Sequence, residues 1–372
     1  MAESIQPIVM PKWGLAMTEG LIATWNVDEG ASINAGDEIC EIETTKLANM
    51  FESPLSGVLR RRVAVEGEDL PVGALIAVVA GSDVSDADVD AYVTRFQENF
   101  VPEESDDAGP EPERITVDGM RLMYLKQGDG EGTPIVLLHG FGADMNGWLF
   151  NQGELSETAP TYALDLPGHG KSAKAVGDGS ISWIAGIVEK FINEMSLSAV
   201  HLVGHSMGAG VALLVAANQP ETVKSLTLIA GAGLGEEVNI DFLEGYIAAK
   251  RQKHLKPVLQ QLVYDKNLIS SDMMEEVFKF KRIDGVIDGL NTLIKANFSA
   301  GKQNGSLREL LSNLTIPVTV IWGKDDEIIP VSHTENLPSS VRIEIIEQSG
   351  HVPQMENAAR VNDIIRTTVA KA

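Results

Sequence analysis

The chain has 372 residues, enough for about two domains, and 44% of them are hydrophobic, as in a globular protein. Its formal net charge of -24 excludes nucleic acid and anionic membranes as partners. Cys40 is the only cysteine, so no internal disulfide framework exists. The first residues lack the pattern of a signal peptide and no apolar stretch reaches membrane-spanning length, so we expect a cytoplasmic protein with no signal peptide and no membrane partner.

The first eighty residues contain an internal repeat with a period of 37. Four residues of the first copy return in the second: Gly20, Glu29, Gly30 and Gly36 correspond to Gly57, Glu66, Gly67 and Gly73. Each copy has short alternating strands and glycine turns, and one copy alone is too small to bury its apolar face. Two copies predict an all-β sandwich over residues 1–80. Lys46 falls at the junction between the copies, so we expect it on an exposed turn.

The residues around Lys46 resemble the lipoyl domains of 2-oxo acid dehydrogenase complexes. The resemblance covers roughly residues 4–80 and rests on the duplicated half-motifs, the Glu-Gly pairs and the segment Glu41-Ile42-Glu43-Thr44-Thr45-Lys46. It implies that Lys46 carries lipoic acid in amide linkage. Biotinyl domains share this fold but usually have Met on both sides of their lysine, so Thr45 and Leu47 argue against biotin.

The next segment, residues 81–113, carries eleven acidic side chains and one basic side chain, Arg95. Such a segment cannot bury a core, so we expect an acidic flexible linker with at most a short helix over 88–100. As a flexible coil it spans roughly 30 Å, enough to carry Lys46 to an active site on its own or a neighbouring chain. A passive spacer without catalytic meaning is the alternative.

Residues 114–372 alternate buried strand-like runs with helical stretches, which predicts a mostly parallel α/β sheet. The predicted strands cover residues 133–138, 161–164, 199–203, 224–229, 318–322 and 341–346. The helix-rich interval at about 236–298 is expected to form a lid.

The second domain contains a candidate catalytic triad. Ser206 lies in Gly204-His205-Ser206-Met207-Gly208, between a predicted strand and an apolar helix, as a nucleophile elbow does. A serine nucleophile needs a histidine base and an orienting acid. His351 follows the last predicted strand, and Asp325 and Asp326 follow the strand before it. This order resembles the α/β-hydrolase family, whose acid spacing selects Asp326 and leaves Asp325 as the alternative.

The same resemblance implies an oxyanion hole, formed by the backbone amides of Met207 and Phe141. His205 stands beside the nucleophile, and we expect its side chain to point away from the site in a structural role. No spacing of histidines and cysteines resembles a zinc site, so no metal is expected.

A lipoyl domain followed by an α/β-hydrolase domain resembles the family of acetyltransferase components of acetoin dehydrogenase complexes. The resemblance implies acetyl transfer from a lipoyl arm on Lys46 to coenzyme A. It also implies three partners: a thiamine-diphosphate-dependent component that cleaves acetoin, dihydrolipoamide dehydrogenase and a lipoylating enzyme. We expect an oligomer and a mechanism in which His351 activates Ser206. The alternatives are a hydrolase of esters, thioesters or carbon–carbon bonds that the lipoyl domain localises, and a lipoyl carrier on a catalytically dead scaffold.

Overall fold

The computed structural model describes residues 5–11, 19–43, 48–81, 83–101 and 110–372, which form two compact units divided between residues 111 and 112. The elements of the first unit are β1 (Ile5–Val9), β2 (Glu19–Trp25), β3 (Ser32–Ile33), β4 (Glu38–Glu43), β5 (Ala48–Glu52), β6 (Gly57–Arg62), β7 (Asp69–Pro71), β8 (Leu75–Ala80) and α1 (Asp86–Asn99).

The strands of the first unit form two four-stranded sheets, in the orders β1-β8-β6-β3 and β5-β4-β2-β7. Their facing sides enclose a core in which repeat-related residues are completely buried, Ile22 with Leu59 and Ile39 with Ile76. The all-β sandwich predicted from the repeat is therefore confirmed.

The Glu-Gly pairs of the repeat form reciprocal hydrogen bonds between the two copies. Glu29 Oε1 accepts from the amide of Arg62 at 2.8 Å, and Glu66 Oε1 accepts from the amide of Trp25 at 2.8 Å. The glycine after each glutamate has a left-handed backbone, with φ of +86° at Gly30 and +83° at Gly67, which glycine adopts without a steric cost. Each copy thus satisfies a backbone donor of the other, which explains why both residues of the pair are duplicated.

Part of the interval predicted as a flexible linker is a folded helix. Ser85 caps α1 by accepting from the amide of Asp88, and Val89 is completely buried against β8. The apolar face of α1 has the spacing i, i+3, i+4, i+7, with Tyr92, Val93 and Phe96 beside Val89. The sequence allowed a short helix over 88–100, and α1 covers nearly the same residues, because an amphipathic helix needs only about four apolar residues to pack on a sheet. Residues 102–109 lie outside the described ranges.

The second unit contains ten strands, nine α-helices and five 3₁₀ turns in the described residues. The strands are β9 (Glu113–Val117), β10 (Met120–Gln127), β11 (Ile135–Leu138), β12 (Thr161–Leu164), β13 (Val200–His205), β14 (Val223–Ile229), β15 (Phe298–Ser299), β16 (Lys302–Gln303), β17 (Val318–Gly323) and β18 (Val341–Ile346). The helices are α2 (Gln152–Ser156), α3 (Ile181–Glu194), α4 (Met207–Asn218), α5 (Ile240–Ala248), α6 (Gln252–Leu259), α7 (Ser271–Lys281), α8 (Val286–Asn297), α9 (Pro353–Glu356) and α10 (Ala358–Val369). The 3₁₀ turns are Met145–Trp148, Gln260–Leu262, Lys266–Leu268, Arg308–Asn313 and Val331–Thr334.

Eight of these strands form one sheet, in the order β18-β17-β14-β13-β11-β12-β10-β9. The six strands from β18 to β12 are parallel, and β10 and β9 are antiparallel. Alternate residues of the central strand β11 face opposite layers, Val136 towards the core that contains α3 and α4 and Leu137 towards the core that contains α2 and α10. The predicted α/β architecture is confirmed, and each predicted strand matches an observed strand to within two residues at either end.

Helices α5 to α8 lie between β14 and β17 in the chain and occupy the interval predicted as a lid. Their apolar residues continue the core of the second unit, with Phe242, Tyr246 and Leu290 all buried. No helix in the described ranges has the length and apolar character needed to cross a membrane.

Candidate active site

Ser206 stands on a strained turn between β13 and α4. Its backbone has φ +53° and ψ -117°, a conformation that costs on the order of 1–3 kcal/mol for a residue with a side chain. The glycines on both sides make this turn possible. A Cβ on Gly204 would lie 2.3 Å from the Gly208 carbonyl oxygen, and a Cβ on Gly208 would lie 2.3 Å from the Leu138 carbonyl oxygen. Ser206 is half-buried while its chain neighbours are buried, as a reactive hydroxyl requires.

His351 and Asp326 meet in a buried ion-pair geometry. The Nδ1 atom of His351 is 2.8 Å from Oδ2 of Asp326, and the two side chains are 3% and 0% exposed. The other carboxylate oxygen accepts from the amides of Ile328 and Ile329, at 2.8 and 3.0 Å. Because the carboxylate accepts the Nδ1 proton, Nε2 is the ring nitrogen with a free lone pair, which is the form of a general base. Asp325 is exposed, so it does not occupy this position.

His205 connects the segments that carry Ser206 and His351. Its Nε2 atom lies 2.8 Å from the carbonyl oxygen of His351, and the two rings are 4.9 Å apart between centroids. A carbonyl oxygen only accepts, so Nε2 of His205 is the donor. The sequence interpretation had this side chain pointing away from the site. In the structure this side chain faces His351 instead. The contact joins segments 146 residues apart in the chain, so no local sequence pattern reveals it.

The loop after β11 approaches the serine from the other side. A Cβ on Gly140 would lie 3.0 Å from Cβ of Ser206 and 3.0 Å from Nδ1 of His205, so glycine is needed there. Phe141, the next residue, is half-buried, and Met207 is the first residue of α4. The amide of Met207 therefore has no acceptor within its own helix, and the positive end of the helix dipole lies beside Ser206.

Tyr246 of helix α5 holds this loop in place. Its hydroxyl donates to the Gly142 carbonyl at 2.8 Å, and its ring meets that of Phe141 edge-on, at 6.1 Å between centroids. Gly142 has φ +71°, and a Cβ there would lie 2.9 Å from the Tyr246 ring. Burial raises the pKa of Tyr246, so its hydroxyl stays a donor. No local sequence pattern indicates this contact, because it joins α5 to a loop 104 residues earlier in the chain.

Four histidines are held neutral by burial. Desolvation lowers the pKa of His139 to about 4, of His169 to about 3 and of His201 to about 4, and it lowers the pKa of His205 well below the usual range. His139 is fixed by two backbone contacts: its Nδ1 donates to the Gly140 carbonyl at 2.8 Å, and its Nε2 accepts from the amide of Leu166 at 3.0 Å. Of these four, His205 lies beside His351, and its neutral ring places no positive charge there.

Lys46 lies outside the described residues, but the strands that flank it are described. Strands β4 and β5 pair antiparallel up to Glu43 and Ala48, which leaves a four-residue connection that contains Lys46. In the described part of the chain, no group of three or more His, Cys, Asp or Glu side chains is arranged to hold a metal ion.

Two family models match this chain. Residues 133–358 match the α/β hydrolase fold, and residues 6–79 match the model described as biotin-requiring enzyme. Among solved structures, a meta-cleavage product hydrolase from Pseudomonas fluorescens IP01 superimposes with a TM-score of 0.62 at 19% identity, over 68% of this chain and 95% of that chain. This likeness supports the fold of the second unit.

Two curated relatives align over almost the whole chain. Both are dihydrolipoyllysine-residue acetyltransferase components of an acetoin cleaving system. The protein from Pseudomonas putida is 44% identical over 96% of this chain and 96% of its own length. The protein from Cupriavidus necator is 40% identical over 98% of both chains. A hydrolase from Cupriavidus pinatubonensis, named for 2-hydroxy-6-oxononadienedioate and 2-hydroxy-6-oxononatrienedioate, is 29% identical over 66% of this chain and 93% of its own. The chain therefore belongs to the family of dihydrolipoyllysine-residue acetyltransferase components of acetoin cleaving systems.

Proposed function

We propose that this chain transfers an acetyl group from a lipoyl arm on Lys46 to coenzyme A, and that Ser206, His351 and Asp326 carry out the transfer. The observation that carries the proposal is the 2.8 Å contact between His351 and Asp326, in a chain whose nucleophile elbow is complete. A buried carboxylate with three donors and a strained serine both cost folding free energy, and a scaffold without catalytic activity would need neither.

The first half of the reaction acylates the serine. His351 takes the Ser206 proton on Nε2 while Ser206 Oγ forms a bond to the thioester carbonyl carbon. The amides of Met207 and Phe141 donate to the oxygen that becomes negative. The carbon–sulfur bond then breaks, and the thiolate that leaves takes the proton from His351. Asp326 keeps the imidazole oriented and stabilises its positive charge throughout.

The second half returns the enzyme to its starting state. His351 removes the proton of the coenzyme A thiol, and the sulfur attacks the acetyl carbonyl on Ser206. The ester bond breaks, and Ser206 Oγ recovers the proton from His351. Acetyl-coenzyme A leaves, and no water has been consumed. Because thioester is exchanged for thioester, the reaction needs no external energy source.

The β4–β5 hairpin fits the attachment of a lipoyl group. Pairing ends at Glu43 and Ala48, and Lys46 is one of the four residues between them in the chain. When bound, the lipoyl group supplies a thiol that carries the acetyl group as a thioester. Lys46 would hold it in amide linkage.

The family places the chain in an acetoin cleaving system, which contains further components. We propose a thiamine-diphosphate-dependent component that loads the arm from acetoin, a dihydrolipoamide dehydrogenase that reoxidises it, and an enzyme that lipoylates Lys46, all in the cytoplasm. The segment between α1 and β9 then acts as the tether. This tether is shorter than the composition suggests, because α1 is packed on the first unit.

The acyl-serine step can be tested by mass spectrometry. Full-length protein is incubated with S-acetyl-dihydrolipoamide without coenzyme A, and the peptide that contains Ser206 is analysed. The proposal predicts an acetyl adduct on Ser206 that disappears when coenzyme A is added. Ser206→Ala is the control, and an adduct elsewhere, or none in the wild type, would contradict acyl transfer through this serine.

A hydrolase is the second candidate, because the second unit is 29% identical to a hydrolase over nearly that protein's full length. In that case water replaces the thiol in the second half of the reaction, and the lipoyl unit only localises the enzyme. Rapid turnover of aryl esters, with acetate as the product even when coenzyme A is abundant, would favour this candidate.

A further inference from the structure

Strand β18 forms an open edge of the eight-stranded sheet, since it pairs with β17 on one side only. Two of its large apolar side chains are exposed, Ile343 at 40% and Ile345 at 41%. The residues that alternate with them, Arg342 and Glu344, face the side of the sheet on which α10 lies, where Arg360 approaches Glu344 to 3.6 Å. An apolar edge strand of this kind is a template for pairing with another strand.

The backbone of β18 offers hydrogen bonds to such a strand. The carbonyl of Ile346 accepts from the amide of Lys324 at 2.9 Å, so it points towards β17. Successive residues of a strand direct their backbone groups to alternate sides. The N–H and C=O groups of Ile343 and Ile345 therefore point towards the open edge.

We propose that two copies of this chain associate by antiparallel pairing of their β18 strands about a two-fold axis at Ile343. In this register Ile343 lies opposite Ile343 of the second copy, and Val341 lies opposite Ile345. Arg342 lies opposite Glu344 of the second copy, and Glu344 lies opposite Arg342. The two eight-stranded sheets join into one continuous sheet.

The charge pattern of the strand selects this arrangement. Arg342 and Glu344 stand two residues apart on one face, and their side chains form an ion pair at 2.6 Å. Antiparallel pairing about Ile343 places opposite charges across the interface at two symmetry-related positions, and directly opposite charges stabilise a strand pair. Parallel pairing in register would place Arg against Arg, and a shift by one residue would place Ile343 against a charge. The strand is therefore complementary to itself in one register, as a two-fold interface requires.

Disulfide trapping tests the register. Cys40, the only cysteine, is buried, so an introduced cysteine is the one that reacts. Directly opposite residues of a hydrogen-bonded pair lie about 5.5 Å apart at Cα, which fits a disulfide. Full-length Ile343→Cys, treated with oxidised glutathione, should form a covalent dimer. Ile345→Cys is the matched control, because the two copies of that residue are about 13 Å apart in this register. We expect at least about tenfold more dimer with Ile343→Cys than with Ile345→Cys.

Charge exchange tests the pairing without a new covalent bond. Arg342→Glu or Glu344→Arg alone places like charges opposite each other at both symmetric positions, and should raise the dimer dissociation constant about tenfold or more in sedimentation equilibrium. The double variant restores both pairs and should return the constant towards the wild-type value. Lys302→Glu, which breaks an exposed ion pair away from β18, is the control and should have no effect. A wild type that stays monomeric, equal trapping at the two cysteines, or single variants that dimerise normally would overturn the proposal.

Discussion

Replacing Asp326 by asparagine should abolish catalysis while leaving the fold intact, because the structure determines how the new amide is oriented. In the wild type, Oδ1 accepts from the amides of Ile328 and Ile329, and Oδ2 faces Nδ1 of His351. The oxygen of an asparagine must keep the place of Oδ1, since two N–H donors point at it. Its NH₂ group then faces His351 and donates to Nδ1, so the proton moves to Nε2. In this tautomer His351 cannot take the proton of Ser206.

The expected size of the effect is taken from a serine protease in which the same replacement causes the same change of tautomer. The corresponding replacement in a serine protease lowers kcat about 10⁴-fold, equivalent to about 5.5 kcal/mol of transition-state stabilisation. We expect a loss of this order both in acetyl transfer from S-acetyl-dihydrolipoamide to coenzyme A and in the rate at which a fluorophosphonate labels Ser206. The two losses should match, because both need the same activated serine.

Asp325→Asn is the matched control for this experiment. Asp325 precedes the acid directly in the chain, carries the same charge and is exposed, so its replacement should change both rates less than about twofold. Thermal denaturation should give similar midpoints for the two variants. If Asp326→Asn kept activity within about tenfold of the wild type, or if Asp325→Asn caused the larger loss, the assignment of the acid would be wrong.

Three further predictions concern the surroundings of the site. His205→Leu removes the donor to the His351 carbonyl and should lower kcat about tenfold with little change in KM. His205→Gln keeps an N–H donor and should lower kcat less, and equal losses of kcat would contradict a positioning role. Gly208→Ala should reduce the free energy of unfolding in urea by more than about 2 kcal/mol, while Gly186→Ala, in α3 with open space around it, should raise it by up to about 1 kcal/mol. The free energy of unfolding should also fall as the pH decreases from 6.5 to 5. Burial lowers the folded-state pKa of His139, His169, His201 and His205, so in this range these residues bind protons in the unfolded chain but not in the folded one. His201→Gln should reduce this slope by up to about 1.4 kcal/mol per pH unit, and an unchanged slope would show that His201 is protonated when folded.

The fold could be predicted from the sequence where a local pattern determines it. The repeat of 37 residues implied two facing sheets, because a single copy could not bury residues such as Ile22 or Leu59. The glycines and buried runs around Ser206 predicted a strand, a sharp turn and a helix. The structure gives the reason, because neither Gly204 nor Gly208 has room for a side chain. Both inferences depend on residues that are close in the chain.

The rest depends on contacts that composition and spacing do not encode. The sequence predicted at most a short helix over 88–100 within a flexible linker, and only the packing of α1 on β8 shows that Val89 and its neighbours form one buried face. The orientation of His205 and the contact of Tyr246 with Gly142 each join segments more than a hundred residues apart. Asp326 was favoured over Asp325 by family spacing, and the physical reason is visible only in three dimensions, where two amides and one imidazole converge on its carboxylate.

In the proposed mechanism, acetyl groups pass through Ser206 to coenzyme A and not to water. The most direct measurement uses full-length protein lipoylated on Lys46, supplied with S-acetyl-dihydrolipoamide and coenzyme A, and counts acetyl-coenzyme A against free acetate for the wild type and Ser206→Ala. We expect mostly acetyl-coenzyme A from the wild type and neither product above background from Ser206→Ala. Mostly acetate from the wild type, or undiminished acetyl-coenzyme A from Ser206→Ala, would contradict it.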